Sequence, residues 1–220
     1  MVSDRVEELI REVRGPDVLH LGCTGGLMED LPLVNSPDWI HGQILKQFPD
    51  AWGLDLSESK VSFLQQHGIP NLHVGDAESF DLQKQFDTIV AGELIEHLGR
   101  PLDLLARARD HLKPDGRLLI TTPYVFGLVH VAYAWVKFPK TCSNREHTAW
   151  FCPATLSVLA QMSGLRIASW HLLYDLKEGR GKIRFYNAVY EQVRRLLPRR
   201  IAANGMLVVL ARPSEMDGEG

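Results

Sequence analysis

The sequence contains few cysteines, little net charge and no long uninterrupted apolar run. Its three cysteines are odd in number and lack metal-ligand spacing, which argues against a disulfide framework and favours a reducing, cytoplasmic location. A net charge of −3 argues against a global basic field that would bind nucleic acid. The longest apolar-leaning run, residues 127–138, is too short to span a bilayer. Residues 1–14 have the apolar spacing of a helix rather than of a secretory signal.

Short apolar runs alternate with helix-like apolar stripes, and this alternation predicts an α/β fold. The expected architecture is a mostly parallel, seven-stranded sheet with helices on both faces, because parallel neighbours require crossover connections. Predicted strands cover residues 18–21, 52–54, 72–74, 88–91, 117–122, 165–170 and 206–211. Predicted helices cover residues 39–47, 57–67, 101–111 and 153–163. Gly68 and Gly164 are expected to close helices, and Lys113-Pro-Asp-Gly116 is expected to form a turn.

A glycine-rich turn follows the first predicted strand, in Val18-Leu-His-Leu-Gly-Cys-Thr-Gly-Gly26. Glycine lets the chain reverse and a ligand approach the backbone without steric cost. Asp55 and Asp76 follow the next two strands, and Gly92 ends the fourth. Ligands of open parallel sheets bind beyond the carboxyl ends of the strands, so we expect these residues to share one site. A carboxylate such as Asp55 can accept both hydroxyls of a ribose, and Asp76 can accept an adenine amino group.

Five motifs between Val18 and Arg117 resemble, in their order, those of the class I S-adenosylmethionine-dependent methyltransferases. They are the glycine-rich turn, Gly53-Leu-Asp55, Gly75-Asp-Ala77, Phe86-Asp-Thr-Ile-Val-Ala-Gly-Glu-Leu-Ile-Glu-His-Leu98 and Leu112-Lys-Pro-Asp-Gly-Arg117. The resemblance implies a Rossmann-like methyltransferase fold with S-adenosyl-L-methionine as cofactor. Length and composition favour one domain, which we expect to be a methyltransferase domain over residues 1–212, followed by a flexible tail at 213–220. A nicotinamide site would instead need a G-x-G-x-x-G turn that opens directly into a helix.

The resemblance also implies which residues hold the cofactor. The backbone of the glycine-rich turn approaches the methionine portion, Asp55 holds the ribose, and Asp76 with Ala77 contacts the adenine. The expected cofactor-binding set is His20, Gly22, Cys23, Gly26, Asp55, Leu56, Asp76, Ala77 and Gly92. Two positions depart from the family pattern: His20 replaces an acidic residue, and Thr24 replaces a glycine. The distance from Gly26 to Asp55 is longer than usual in the family, so residues 27–38 are expected to form an extra loop.

Two histidines are the candidate catalytic residues. Methyl transfer is an in-line displacement, for which the protein positions the acceptor, excludes water and accepts a proton from a hydroxyl. His97 follows the fourth strand, where a neutral imidazole can accept that proton; alternatively, Glu96 and His97 cap and pack the following loop. His147 is expected at the rim of the pocket, either as a second base or as a hydrogen bond that fixes a lid. No metal site is expected, because the scattered histidines elsewhere lack ligand spacing.

Two further segments have unusual compositions. Residues 124–152 concentrate aromatic side chains and are expected to form a substrate lid or, alternatively, part of the core. Residues 174–204 are expected to form a basic amphipathic insertion, within which residues 177–200 contain eight Lys and Arg against two Glu. This insertion either contacts an anionic membrane surface or packs on the sheet with solvated arginines.

These patterns predict O-methylation of a small molecule, a quinone-like ring or a lipid-linked glycan. No nucleic-acid acceptor is expected, because Ala91-Gly-Glu-Leu94 is not the Asn/Asp-Pro-Pro-Tyr type of motif found in relatives that act on nucleic acid. Two other classes of protein stay open. One is a catalytically silent cofactor-binding partner subunit, which His20 and Thr24 would favour, and the other is a peripheral membrane-binding module.

Overall fold

The computed structural model describes residues 4–25, 36–136, 146–174 and 182–213. Within these ranges the strands are β1 (Val18–Leu21), β2 (Trp52–Asp55), β3 (Leu72–Val74), β4 (Phe86–Gly92), β5 (Leu112–Pro123), β6 (Arg166–Leu173) and β7 (Gly205–Ala211). The helices are α1 (Asp4–Glu12), α2 (Ile40–Gln47), α3 (Glu58–Gln66), α4 (Pro101–His111), α5 (Leu128–Val136), α6 (Pro153–Met162), α7 (Lys182–Leu196) and α8 (Arg199–Ala202). A 3-10 helix, Ile95–His97, follows β4. Gly26, most of the extra loop and residues 214–220 of the expected tail lie outside the described residues.

The strands form one sheet in the order β3-β2-β1-β4-β5-β7-β6. Neighbours from β3 to β5 pair in parallel, whereas β7 runs antiparallel to both β5 and β6. The prediction of a seven-stranded, mostly parallel α/β sheet is confirmed. The chain moves outward from β1 to β3 and then crosses back to place β4 on the other side of β1. This reversal of strand order opens a crevice at the carboxyl ends of β1 and β4.

Helices cover both faces of the sheet because successive strand residues point to opposite sides. In β1, Leu19 and Leu21 join the core that α4 and α6 cover, whereas Val18 joins the core that α1 and α2 cover. All four β1 residues are buried, as expected of a central parallel strand. Burying one such leucine stabilises the fold by about 1.5–3 kcal/mol. Among the described helices, none combines the length and apolarity that crossing a bilayer requires.

The turn expected at Lys113-Pro-Asp-Gly116 is a bulge inside β5, so the prediction that the strand starts at Arg117 is wrong. Phe86 lies opposite Leu112, and two residues later Thr88 lies opposite Arg117, which leaves residues 113–116 looped out. A side chain at Gly116 would lie 2.8 Å from the Phe86 carbonyl oxygen, so this looped segment passes close to β4. β5 therefore pairs with β4 before and after residues 113–116, although the sequence of this segment is typical of a turn. The glycines expected to close α3 and α6 do lie just after them with positive φ angles of 79° and 76°, Gly68 and Gly164.

Candidate functional site

The strand-order reversal opens into a cavity of about 600 Å³. This volume lies within the usual range of small-molecule pockets. The glycine-rich turn, the end of β2, the start of α2 and the segment after β4 form its wall. Of the residues expected to bind the cofactor, the cavity is lined by His20, Gly22, Cys23, Asp55 and Gly92.

The glycine-rich turn is fixed by its own backbone and by β2. Gly22 and Gly25 have φ angles of +73° and +53°, which glycine adopts without strain. The Gly25 N–H donates to the Gly22 carbonyl at 3.0 Å, while the N–H groups of Gly22 and Cys23 donate to the Leu54 carbonyl at 2.8 and 3.2 Å. A side chain on Gly22 would contact Leu94 at 3.3 Å. The turn is therefore held in one shape, with its backbone on the cavity wall.

Thr24 binds Asp55 directly, which gives a structural reason for threonine at this position. Its N–H and its hydroxyl both donate to Asp55 Oδ2, at 3.0 and 2.8 Å. The N–H of Ser57 donates to the other oxygen, Asp55 Oδ1, at 3.0 Å. A carboxylate offers about four acceptor positions, so these three donors leave one for a ligand hydroxyl. Thr24 thus orients the carboxylate and also competes for it.

The remaining expected adenine-side residues lie near Asp55 but not among the residues that line the cavity. Asp76 follows β3, where its Oδ1 accepts the Glu78 N–H at 2.9 Å. The N–H of Gly75 donates to the Asp55 carbonyl at 2.9 Å, which joins the two strand ends. Leu56 is exposed, and Ala77 packs against the core. Their contact with the cofactor stays a prediction.

His20 is buried against a second histidine that the sequence did not suggest. The rings of His20 and His41 stack with centroids 5.5 Å apart, and none of their four nitrogens has a hydrogen-bond partner among the described residues. Burial lowers the pKa of both imidazoles, to about 4 for His41, so both are neutral at physiological pH. The cavity therefore has a neutral ring where an acidic residue is usual in the family that the sequence resembles. The thiol of Cys23 is also neutral, because burial raises its pKa.

The candidate catalytic residues come from two segments: His97 follows β4, and His147 precedes α6. His97 lines the cavity, and the rings of His97 and His147 meet edge to face with centroids 4.8 Å apart. Burial lowers the pKa of His147, with a smaller contribution from His97. The two expected catalytic histidines are thus brought together, although 50 positions separate them in the chain.

Thr148, rather than His147, attaches the segment at residues 146–150 to the rest of the site. The Thr148 N–H donates to the Glu96 carbonyl at 2.7 Å. Its hydroxyl hydrogen bonds with the carbonyls of Glu96 and Leu98 at 3.0 and 2.6 Å. The Nδ1 atom of His147 is buried and has no hydrogen-bond partner within the described ranges. One alternative for His147 was a hydrogen bond that fixes a lid. In the structure, Thr148 makes the hydrogen bonds that hold this segment.

Glu96 is the residue of this site whose importance the sequence analysis missed. Its carboxylate is 1% exposed, and neither oxygen has a hydrogen-bond partner in the described part of the chain. Its side chain therefore makes no capping hydrogen bond, whereas its burial fits the packing part of the alternative that Glu96 and His97 cap and pack the following loop. Burial, and secondarily the neighbouring Glu93, raises the pKa of this carboxyl. The signal was present in the spacing Glu93-Leu-Ile-Glu96-His97, which concentrates titratable groups at a strand end.

Helix α1 also contributes to the cavity, which its amphipathic sequence did not indicate. Arg5 and Glu93 both line the cavity and form an ion pair with a 3.2 Å separation between nitrogen and oxygen. Trp39 lines the cavity as well, and its indole N–H donates to the Cys23 carbonyl at 2.9 Å. These contacts connect the two helices on one face of the sheet to the glycine-rich turn and the β4 end.

The aromatic segment at residues 124–152 divides between core and surface. Tyr124 and Phe151 are buried, join the core and form an isolated bridge. Trp135, in contrast, is 85% exposed on α5. Residues 137–145 lie outside the described residues, so the full extent of the expected lid is a prediction.

The basic insertion is described only in part. Helix α7 covers Lys182–Leu196, while Lys177 and Arg180 lie outside the described residues. Arg195, Arg199 and Arg200 are exposed. The described arginines thus fit a solvated basic surface.

Comparison with known proteins shows a family match and two kinds of similarity. Residues 2–169 match the model of the family described as "Methyltransferase domain". The chain is 27% identical over 167 residues to a ubiquinone biosynthesis O-methyltransferase of Coxiella burnetii. The aligned region covers 70% of this chain and 65% of that relative. The chain therefore spans about two thirds of the relative's length. It also resembles the crystal structure of a S-adenosylmethionine-dependent methyltransferase from Archaeoglobus fulgidus, with a TM-score of 0.60 and 19% identity; the match covers 94% of this chain and 90% of that chain. A second such structure, from Clostridium acetobutylicum, matches with a TM-score of 0.62 and 12% identity, and the match covers 97% of this chain and 93% of that chain.

Proposed function

The chain belongs to the methyltransferase-domain family of class I S-adenosylmethionine-dependent enzymes, and from this premise we propose that it methylates a hydroxyl oxygen of a small molecule, a quinone-like ring or a glycan. The family assignment confirms the expected enzyme class and S-adenosyl-L-methionine as the cofactor. A relative that is an O-methyltransferase supports oxygen as the acceptor atom.

The residues of the cavity fit this cofactor. Gly22 and Gly25 leave backbone open to the ligand, and Asp55 keeps acceptor capacity for a ribose hydroxyl. We propose that His20 and Gly92 complete the methionine side and that Asp76 with Ala77 serves the adenine. When bound, S-adenosylmethionine supplies an electrophilic methyl group, whose carbon–sulfur bond breaks with its electron pair retained by sulfur as the acceptor oxygen forms the new bond.

The observation that carries the proposal is the position of His97. It lies on the wall of the cavity that holds Asp55 and the glycine-rich turn, and it contacts His147 from the segment before α6. An acceptor hydroxyl between these histidines and the methyl group would be oriented by them and would release its proton there. The aromatic segment at residues 124–152 is proposed to form the acceptor side of the pocket.

Calorimetric titration with S-adenosylhomocysteine tests the cofactor site. We expect micromolar binding that Asp55→Ala abolishes while the fold is retained, because the variant removes both the ribose acceptor and the anchor of Thr24. The matched control is Asp50→Ala, whose exposed carboxylate lies in the turn before β2. Unchanged binding by Asp55→Ala, with the fold intact, would place the cofactor elsewhere.

Turnover assays test the acceptor proposal. A panel of hydroxylated rings and sugars should show methyl transfer to oxygen, and His97→Ala should slow turnover while cofactor affinity stays close to that of the wild type. Methylation confined to amines, or a His97→Ala variant with full turnover on hydroxyl acceptors, would contradict this assignment. Cofactor binding without turnover on any acceptor would instead favour the silent-partner alternative.

A peripheral membrane contact is a second proposal, favoured by one exposed surface. Trp135 and Val136 on α5 are 85% and 77% exposed, and α5 contacts α8, which carries exposed Arg199 and Arg200. Apolar and basic side chains on one surface suit an anionic bilayer interface. Co-sedimentation with anionic vesicles should be lost in Trp135→Ser and weakened by salt, whereas equal sedimentation with neutral vesicles would contradict an electrostatic contact.

A further inference from the structure

We propose that Trp150 is a positioning residue that holds His147 against His97, and that His130 of α5 orients Trp150; this inference rests on the proposed O-methyltransferase function. The Trp150 ring meets the His147 ring with centroids 5.9 Å apart and the His130 ring with centroids 5.2 Å apart. Both pairs meet edge to face, at 74° and 75°. Because His97 lines the cavity and contacts His147, a continuous series of ring contacts runs from the cavity wall to α5.

His147 depends on ring contacts because one of its ring nitrogens makes no hydrogen bond. Its Nδ1 atom is buried and has no hydrogen-bond partner among the residues that the structure describes. Its ring packs instead against His97, with centroids 4.8 Å apart, and against Trp150. Edge-to-face aromatic pairs are favourable at centroid separations of about 4.5–7 Å, a range that includes both contacts. Rotation of the His147 ring is therefore limited by its packing against these two neighbours.

The backbone on either side of Trp150 is fixed. Two residues earlier, the N–H and the hydroxyl of Thr148 donate to the Glu96 carbonyl at 2.7 and 3.0 Å. One residue later, Phe151 is buried and forms an isolated bridge with Tyr124. The backbone of Trp150 is held between these two attachments, so the direction of its ring depends on the side chains that it contacts.

His130 is held in turn by the segment before β7. Its Nε2 atom lies 2.9 Å from the Asn204 carbonyl oxygen, and because a carbonyl only accepts, Nε2 carries the proton and donates it. Gly127, one residue before α5, packs closely on the same segment: a Cβ atom there would lie 2.1 Å from the Ala203 carbonyl oxygen. The start of α5 is therefore fixed, and with it the ring that contacts Trp150.

The position of His147 matters for the proposed reaction because methyl transfer requires the acceptor oxygen in line with the breaking carbon–sulfur bond. In that reaction the acceptor hydroxyl lies beside His97 and His147 and releases its proton there. Its oxygen forms the bond to the methyl carbon while the electron pair of the broken bond stays on sulfur. A displacement of about 1 Å can slow an enzymatic reaction about a hundredfold.

The same arrangement favours a neutral His147. Burial lowers its pKa, and the neighbouring His97 and His130 lower it further, against an opposing contribution from Glu146. A neutral imidazole can accept a proton, whereas an imidazolium cannot. His130 therefore supports the site in two ways, because its ring contacts Trp150 and its charge, when protonated, disfavours protonation of His147.

Steady-state kinetics of Trp150→Leu and Trp150→Phe test the positioning role. We expect Trp150→Leu to lower kcat and kcat/KM by the same factor, about tenfold or more, with unchanged S-adenosylhomocysteine affinity, because the lost interaction acts only in the transition state. Trp150→Phe keeps a ring next to His147 and should recover most of the rate. The control is Trp170→Leu, an exposed tryptophan on the edge strand β6, which should turn over like the wild type.

Nuclear Overhauser contacts between histidine ring protons test the geometry without turnover. The 4.8 Å separation of the ring centroids brings protons of His97 and His147 close enough for such a contact in the wild type. Signals are assigned with His97→Gln and His147→Gln, and circular dichroism verifies that each variant is folded. The contact should persist in Trp150→Phe and disappear in Trp150→Leu. A contact that is unchanged in folded Trp150→Leu overturns the positioning role.

A double variant tests whether His130 acts through Trp150. His130→Ala should slow turnover severalfold, and adding it to Trp150→Leu should cause no further loss. Losses that multiply would show that His130 acts independently and would overturn this part of the inference. If Trp150→Leu does not fold, His130→Ala takes its place: loss of the contact between His97 and His147 supports the inference, and an unchanged contact overturns it.

The outcomes separate the positioning role from the proposed function. Folded wild-type protein that methylates no hydroxyl acceptor contradicts the function, and the contact between His97 and His147 then decides the positioning role by itself. Full turnover of hydroxyl acceptors by Trp150→Leu overturns the positioning role and leaves the function standing. A raised KM for the acceptor with unchanged kcat also overturns it, because Trp150 would then bind the acceptor directly.

Discussion

Replacing His41 with phenylalanine should make the protein less sensitive to acid. His41 is fully buried on α2 and stacks on His20, and burial lowers its pKa from 6.5 to about 4. An unfolded histidine titrates near pH 6.5, so the unfolded chain gains a proton as the pH falls, while the folded His41 stays neutral until about pH 4. The stability that the protein has while His41 is neutral in both the folded and the unfolded state is fully present above pH 6.5. It is lost progressively as the pH falls from 6.5 to about 4, because only the unfolded chain gains the proton there.

The magnitude follows from linkage between proton binding and folding. Between pH 7 and pH 5, His41 alone should reduce the free energy of unfolding by about 2 kcal/mol. His20, whose pKa is also lowered by burial and by His41, adds a loss in the same direction. His41→Phe keeps a flat ring in the stack but removes one titrating group, so the loss between pH 7 and pH 5 should shrink by about 2 kcal/mol.

Urea unfolding at a series of pH values measures this difference. Packing changes caused by the larger ring shift the stability at every pH, so the pH dependence of stability, not its absolute value, carries the test. His171→Phe is the control, because His171 is exposed on β6. If His41→Phe lost stability from pH 7 to pH 5 as steeply as the wild type, the burial of a neutral His41 would be refuted.

Three further perturbations test other parts of the structure. Thr24→Val removes a hydroxyl that donates to Asp55, so denaturant melts should show a loss of about 1 kcal/mol that Thr24→Ser recovers; equal losses in both variants would contradict a role of the hydroxyl. Thr148→Val breaks the side-chain contacts with Glu96 and Leu98, and steady-state kinetics should show a higher KM for the acceptor with unchanged S-adenosylhomocysteine affinity. An unchanged KM would mean that the backbone contact suffices. Leu104→Ala removes a fully buried side chain from the core, and guanidinium unfolding should show a loss of about 2–5 kcal/mol, whereas less than that would indicate that the core collapses around the gap.

The elements that the sequence predicted best are those specified by local signals. Apolar runs followed by glycine or aspartate located β1, β2 and β4, and parallel pairing then forced Gly22 and Asp55 to the same edge of the sheet. The bulge at residues 113–116 was missed for a related reason. Its sequence has ordinary turn chemistry, and only pairing with β4, at Leu112 and again from Arg117, shows that the strand continues on both sides.

The parts of the site that could not be predicted depend on tertiary docking. His20 and His41 meet because α2 packs on the sheet through Ile40 and Ile44, and a sequence pattern specifies the apolar face of a helix but not the polar residue that it carries inward. Similarly, His147 reaches Glu96 and His97 only because Thr148 binds the 3-10 helix. Such contacts join segments that lie far apart in the chain, so they cannot be predicted from the local periodicity of the sequence.

The antiparallel strand β7 determines when during synthesis the sheet can be completed. β7 lies between β5 and β6, although it follows both in the chain. A ribosome-bound chain that ends before Gly205 leaves the hydrogen-bonding edge of β5 uncovered and β6 without its sheet partner. Uncovered edges pair readily with other chains. Nascent protein therefore depends on β7 for protection from aggregation, and the described sheet closes only once Ala211 has emerged.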